Sequence, residues 1–467
     1  MGLMNNDIRS YDEGTKRAAL VVSTLAGFLT PFMGSSMNVA LPAVAAEFSM
    51  KAVSMSWVPM AYMLAAAVSL VPFGRLGDIR GRKKVFILGL VIYTLSSVLA
   101  ALSFSAASLI VSRVLQGFGG AMILGTSLAI LTSVHPPGER GRVLGINTAA
   151  VYLGLSLGPV MGGFLTQHFG WRSIFLVNVP VGLLALVLTF SKLSGEWAEA
   201  KGETFDLPGS MAFGASLASL MYGFSRLPRV PGAVFILLGL VGLGAFILWE
   251  DRSKTPLLDV RLFLKNRVFA FSNAAALINY SATSAVAFLL SLYLQYIKGM
   301  SPQQAGLILI AQPIVMTVFS PLAGKLSDRI EPRVVASSGM AITSAGLFFF
   351  ILLGASTSLL FIVLCLLCLG FGFALFSSPN TNAVMGSVDR RSYGVASSTL
   401  GTMRLTGQML SMGVSVLIFA LFMGNVRIAP EHYPVLLRSV KAAFTVFGVL
   451  CVIGVFASLA RGNRKST

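Results

Sequence analysis

Arg113 and Arg404 stand inside apolar runs long enough to cross a bilayer, and neither run holds an Asp or Glu near them. A guanidinium in hydrocarbon must face a cavity, a partner or hydrogen-bond acceptors, so each is a candidate for ion or substrate handling. Arg113 belongs to Leu109-x-x-x-Arg113-x-x-Gln116-Gly117 and Arg404 to Thr402-Met-Arg-Leu-Thr-Gly-Gln408. At 1.5 Å per residue, Arg113 lies about 10 Å along its helix from the nearer interface. All 17 Asp and Glu residues fall in loops or near span ends. Export of cations on a proton gradient needs a membrane carboxylate that proton or substrate can neutralise, and none is obvious.

Other reactive patterns lead nowhere. Gly154-Leu-Ser156-Leu-Gly158 matches the G-x-S-x-G hydrolase elbow, but that elbow needs a strand–turn–helix setting that a membrane span excludes. The three histidines, His135, His168 and His432, occupy separate segments, so no catalytic cluster forms and the chain is not expected to be an enzyme. Cys365-x-x-Cys368 lies in an apolar span with no His nearby and reads as core packing, with no metal or cofactor implied. His168, near the outer end of its span, could titrate.

The elements that position these residues are membrane helices. Apolar residues make up 55% of 467 and charged residues 11%, less than half the share of a soluble domain. A net charge of +18 would point to nucleic acid in a soluble protein, but here Lys and Arg sit in short loops between apolar runs. About fourteen spans are predicted, at 18–40, 53–73, 85–104, 107–131, 143–166, 174–190, 207–225, 233–249, 269–297, 304–323, 334–353, 359–376, 395–423 and 440–460. An even number puts both termini on one side. Lys and Arg concentrate there, which makes it cytoplasmic. The first run is too long for a signal-peptide core and should persist as a helix.

A short basic segment recurs. Gly74-Arg-Leu-Gly-Asp78-Ile-Arg-Gly81-Arg82-Lys-Lys84 is echoed by Gly324-Lys-Leu-Ser-Asp328-Arg329-Ile-Glu-Pro-Arg333, so the chain reads as two related halves, the layout of secondary transporters. The interval between the copies fits about eight spans rather than six. The expected parse is a cytoplasmic tail (1–17), a six-helix bundle (18–193), a linker with an inserted helix pair (194–255), a second six-helix bundle (256–460) and a cytoplasmic tail (461–467). The chain thus resembles the fourteen-helix drug:proton antiporter branch of the major facilitator superfamily. Gly74–Lys83 is similar to that superfamily's loop 2–3 signature, and Leu109–Gly117 to its helix 4 motif. Gly154-x-x-x-Gly158-Pro159-x-x-Gly162-Gly163 is similar to the helix 5 antiporter motif. Asn38-Val-Ala-Leu-Pro42 and Trp171–Pro180 are further hallmarks.

The resemblance implies an all-α fold of two six-helix bundles plus the inserted pair, moving substrate between the bundles. Gly74, Asp78, Gly81, Arg82, Asp328 and Arg329 would form the conformational lock, with Asp78 against the start of the penultimate helix near Ser392–Val395. Arg113, Gln116 and His168 are the proton-coupling candidates. On physical grounds Gly154, Gly158 and Gly162 make a groove for a neighbouring helix, and Pro159 favours a kink; Gly163 completes the motif. Phe32, Met33, Asn38, Tyr62, Tyr152, Asn279, Gln312, Asn380, Arg404 and Gln408 are the cavity candidates. Met33 stands where many members of the branch carry the helix 1 Asp, a departure that weakens the antiport assignment. Proton-driven efflux of amphipathic compounds from a prokaryotic inner membrane is the leading expectation. The alternative is an anionic or neutral metabolite, or a lipid-like substrate, moved without tight proton coupling. The partners expected are a small-molecule substrate, protons and lipid, with no nucleic acid. The family fold closes its cavity within one chain, so a monomer is expected.

Overall fold

The computed structural model describes residues 12–253, 256–257, 260–388, 393–424 and 426–461. The chain is helical almost throughout. Its helices are α1 (Glu13–Glu47), α2 (Ala52–Arg80), α3 (Arg82–Ala101), α4 (Ala106–Val134), α5 (Pro137–Phe169) and α6 (Ser173–Lys192). The inserted pair is α7 (Leu207–Arg226) and α8 (Val230–Arg252). Then come α9 (Arg267–Ile297), α10 in two pieces (Pro302–Leu309 and Ala311–Arg329), α11 (Pro332–Phe349), α12 (Leu359–Met385), α13 (Tyr393–Phe422) and α14 (Tyr433–Leu459). Thirteen of the described helices are long and apolar enough to span a membrane. The remaining one, α7, matches them in length but is more polar. It packs on α8, α2 and α13, so protein covers much of a surface that would otherwise need lipid-facing apolar side chains.

Most helices start before their predicted spans and many also end beyond them, though α3, α11, α13 and α14 stop short of the predicted end; hydropathy ends where the hydrocarbon does, and the hydrogen-bond ladder need not. The basic segment 74–84, expected as a loop, is helical except at Gly81. There φ is +116°, a conformation open to glycine, so α2 turns into α3 over one residue. Polar residues mark other ends: Asp12 accepts from the Thr15 amide, and capping boxes pair Ser105 with Ser108 and Ser301 with Gln304.

Contacts between loops sort the molecule into two faces. The near face, which carries Asp12 and Arg461, joins the α2–α3 turn to the linker 193–203 and the start of α9 to the end of α14, where Arg267 Nε donates to the Ala460 carbonyl at 2.9 Å. The far face joins the end of α1 to α6, with Arg172 forking onto Glu47 at 2.6 and 2.7 Å. Those hydrogen bonds hold the Arg172 guanidinium above its ordinary range. Within the first bundle α1 packs on α5, and α4 on α2 and α3; in the second, α12 packs on α10 and α11, and α9 on α13 and α14. The bundles meet along α2–α13 and α5–α10.

Candidate functional site: the seam between the bundles

The helix 5 motif builds two contacts at once. A Cβ at Gly154 would stand 2.6 Å from the Phe28 carbonyl, and one at Gly162 2.6 Å from Ser36 Cα. Only glycine lets α1 come so close, and Gly158 is likewise filled by Ser35. Ser36 Oγ donates to the Gly158 carbonyl at 2.9 Å across the groove. The other side of the motif faces the second bundle. A Cβ on Gly163 would collide with the Pro302 carbonyl, and one on Gly306 with the Pro159 carbonyl. Pro159 carries no amide hydrogen, so the helix is already short of one rung where α10 crosses it.

This crossing lies in the far half of the molecule, and other ties between the bundles join it there. Gln295 Nε2 donates to the Val39 carbonyl at 2.9 Å, the Ala52 amide to Val426 at 3.1 Å, and the Gln303 amide to Gln167 Oε1 at 3.3 Å. His168 Nε2 sits 3.3 Å from Gln303 Oε1. Thus the seam is shut toward the far face. Deeper in, Tyr152 on α5 reaches Ser320 on α10 at 3.4 Å and joins Tyr280, Met316 and Phe373 in an apolar cluster spanning both bundles. The helices that line this region are interrupted: α9 breaks at Ser284–Ala285, where Ser411 Oγ accepts the Ala285 amide at 2.9 Å, and α10 at Ile310. Irregular backbone at such depth is tolerated only inside protein or along a cavity.

The two span arginines part company here. Arg113 is 1% exposed. Its Nε donates to the Val58 carbonyl at 3.3 Å, its guanidinium bonds Gln116 Oε1 and lies 4.5 Å over the Tyr62 ring, and Gln116 Nε2 reaches Ser97 Oγ at 2.8 Å. It is enclosed by α2, α3 and α4, away from the seam. Arg404 is half-buried, bonds Thr381 Oγ1 at 2.6 Å and lies 5.7 Å from the Tyr280 ring centroid, while its Nε is buried without a partner. Among the described residues no carboxylate pairs with either.

Several cavity candidates need correction. Tyr62 sits under Arg113 inside the first bundle. Tyr62 fits there because Gly120 leaves room for it: a Cβ on Gly120 would stand 2.7 Å from the Tyr62 hydroxyl. Met33 is 1% exposed against Asn178, whose Nδ2 is 3.1 Å from its Sδ, while Phe32 stacks on Phe28 at 5.2 Å between ring centroids with its backbone against Gly154 and Gly158. Asn38, Asn279 and Asn380 are buried with amide oxygens that have no partner, and Asn279 has none for its amide nitrogen either. Asn38 shares a face of α1 with Gly34, where a Cβ would meet open space. Gln312 and Gln408 are half-buried on α10 and α13.

The lock residues are asymmetric. Arg82, 8% exposed, donates Nε to Asp78 at 2.8 Å, forks onto Glu199 at 2.8 and 3.0 Å, and bonds Ser133 at 2.7 Å. The Lys83 amide reaches Glu196 Oε1 at 2.9 Å, Arg75 pairs with Glu203, and the Ala200 amide bonds the Asp78 carbonyl at 3.0 Å. The polar linker is therefore a strap laid across the turn, a role its composition alone did not reveal. The only trace in the sequence is three glutamates at short spacing, Glu196, Glu199 and Glu203, far along the chain from the basic turn they meet. A Cβ at Gly81 would strike Glu196, while Gly74 lies against Gly125 of α4. In the second copy Arg329 is exposed, and among the described side chains Arg333 pairs with Glu331 at 3.0 Å. The Asp328 side chain, and Ser392 at the expected docking point for Asp78, lie outside the described residues.

Comparison with known proteins bears on this geometry. The family model of the Major Facilitator Superfamily matches residues 23–274 and 272–466. The chain belongs to the major facilitator superfamily. It is a multi-pass membrane transporter of small molecules, not an enzyme. Among its relatives is the riboflavin transporter RibZ of Clostridioides difficile (strain 630), 30% identical over 95% of this chain and 97% of that protein. Another is the multidrug resistance protein Stp of Mycobacterium tuberculosis (strain H37Rv), 31% identical over 86% of this chain and 75% of that one. The fold matches a bacterial homologue of the human lysosomal transporter Spinster, solved inward-facing and occupied, with a TM-score of 0.67, 18% identity and 97% coverage of both chains.

Proposed function

We propose that this chain is a secondary active exporter of amphipathic organic compounds, working by alternating access in a prokaryotic plasma membrane. The observation that carries the reading is the far-face closure, where Pro159 and Gly163 meet Pro302 and Gly306 with no room for a Cβ. Contacts that depend on glycine at a seam between two bundles, beside broken helices, are what a gate that opens and reseals requires. The near face is read as cytoplasmic because the basic loops lie there. The bundle limits 18–193 and 256–460, with the insert between them, are proposed on the same basis. Relatives named for riboflavin transport and multidrug resistance support amphipathic, ring-bearing compounds as cargo.

Proton gradient as the driving force belongs to this reading, with His168, beside Gln303 at the far seam, a proton-coupling candidate. A second reading, a neutral or anionic cargo moved without tight proton coupling, has its own support: among the described side chains no carboxylate lies in the middle of a span. Transport by purified protein in proteoliposomes under an imposed pH gradient separates them, using ethidium, riboflavin and an anionic fluorophore as cargoes. Gradient-driven movement of ethidium supports multidrug:proton antiport. Movement of riboflavin or the anion with no response to the gradient supports the second reading. No movement of any of the three would overturn the proposed cargo class.

A further inference from the structure

Arg404 is the least satisfied cation in the described membrane-spanning region. Thr381 takes one guanidinium nitrogen, the Tyr280 ring lies beside the group, and Nε is buried and bonded to nothing. A guanidinium presents five donors in a planar fork that matches a carboxylate or sulfonate. Leaving a buried donor empty is unfavourable, so a group that fills it gains by charge-assisted hydrogen bonds. What lies next to it sets the rest of the ligand. Tyr280 packs edge-on against Phe373, with ring centroids 5.4 Å apart, and with Met316 and Tyr152 forms an apolar wall shared by both bundles. The charge belongs to the second bundle, whereas Tyr152 belongs to the first. A ligand spanning from the fork to Tyr152 would therefore touch both moving parts.

We propose that Arg404, Thr381 and Tyr280 form an anion subsite that holds the acidic group of an aromatic acid, whose ring lies on Tyr152, Met316 and Phe373. This rests on the transport reading, in its second form with an anionic cargo, and names that cargo: planar amphipathic acids. Arg404 serves as the specificity-determining residue, since the apolar wall accepts any ring and only the fork distinguishes a charged from an uncharged one.

The test uses the full-length chain in lipid nanodiscs and a matched pair of probes, 2-naphthalenesulfonate and 2-naphthalenesulfonamide, which share a ring system and differ in charge. Equilibrium dialysis should show the sulfonate binding about 10-fold more tightly, the gain of one charge-assisted fork. Arg404→Gln should erase that preference while leaving sulfonamide binding within about twofold. Arg404→Lys, which keeps the charge without the fork, should retain part of it, and it carries the test if the Gln variant does not fold. A preference that survives in Arg404→Gln, a wild type that does not discriminate, or a wild type that binds neither probe overturns the subsite. Failure of the transport reading looks different: the binding preference would be present while proteoliposomes move no cargo.

Discussion

Arg113 and Arg404 look alike in sequence, each a lone cation in an apolar run, and the structure gives them opposite surroundings. Arg113 is walled in by α2, α3 and α4, with a carbonyl, an amide oxygen and an aromatic face as partners. Arg404 stands where the bundles meet, with one hydroxyl partner and an empty Nε. The difference is in what completes each guanidinium. The first bundle supplies Arg113 with its own acceptors, so that arginine holds three helices together. Arg404 is left for something from outside. A membrane arginine is thus a functional candidate by position, and its unsatisfied hydrogen bonds decide whether it faces the protein or a ligand.

The largest expected effect tests the enclosed arginine. Arg113→Ala leaves Gln116 and the Val58 carbonyl without their donor and opens a cavity, at about 2–4 kcal/mol. Thermal unfolding of the purified protein should show a marked fall in Tm, whereas Arg404→Gln should stay within about 0.5 kcal/mol of wild type. Equal destabilisation by both would erase the contrast. Next comes the seam. Gly163→Val puts bulk against the Pro302 carbonyl, an overpacking of about 1–3 kcal/mol, and should cut proteoliposome transport at least tenfold with little change in Arg113's stabilising effect. Transport at the wild-type rate would show that the far closure is not a working gate.

A smaller effect is expected at Asp78→Asn. Arg82 keeps its fork to Glu199, so stability should change by less than about 1 kcal/mol. Transport should still fall severalfold, as a switch biased by about 1 kcal/mol of coupling requires. The smallest effect belongs to the strap, where Glu203→Gln removes one half-exposed pair with Arg75 and should shift Tm by no more than about 0.5 kcal/mol allows. A larger loss there would mean that the strap, and not the arginine's own bundle, holds the near face together.

Much of this architecture is legible in the sequence, because crossing a bilayer demands about twenty apolar residues and leaves a mark that needs no tertiary information. The repeat at Gly74 and Gly324 and the glycine spacing at 154, 158 and 162 also carry directly into helix contacts. Three things do not. Many helix ends run past the hydropathy signal, so the segment 74–84 reads as a loop although only Gly81 breaks it. Facing directions on a buried helix leave no periodic trace when every side is apolar, which is why Met33 and Tyr62 read as cavity residues. Partners distant in sequence are invisible too, so neither the Arg82–Glu199 fork nor the Arg404–Thr381 bond could be foreseen.

The most direct test of alternating access is a distance across the far seam. Spin labels at Phe169 and Leu307, both exposed near the far ends of α5 and α10, would be read by pulsed electron paramagnetic resonance in nanodiscs, with Cys365, Cys368 and Cys451 replaced by serine. Alternating access predicts a short distance matching the closed seam, joined by a longer population whose share changes when cargo or pH is varied. A single distance that neither cargo nor pH moves would contradict it.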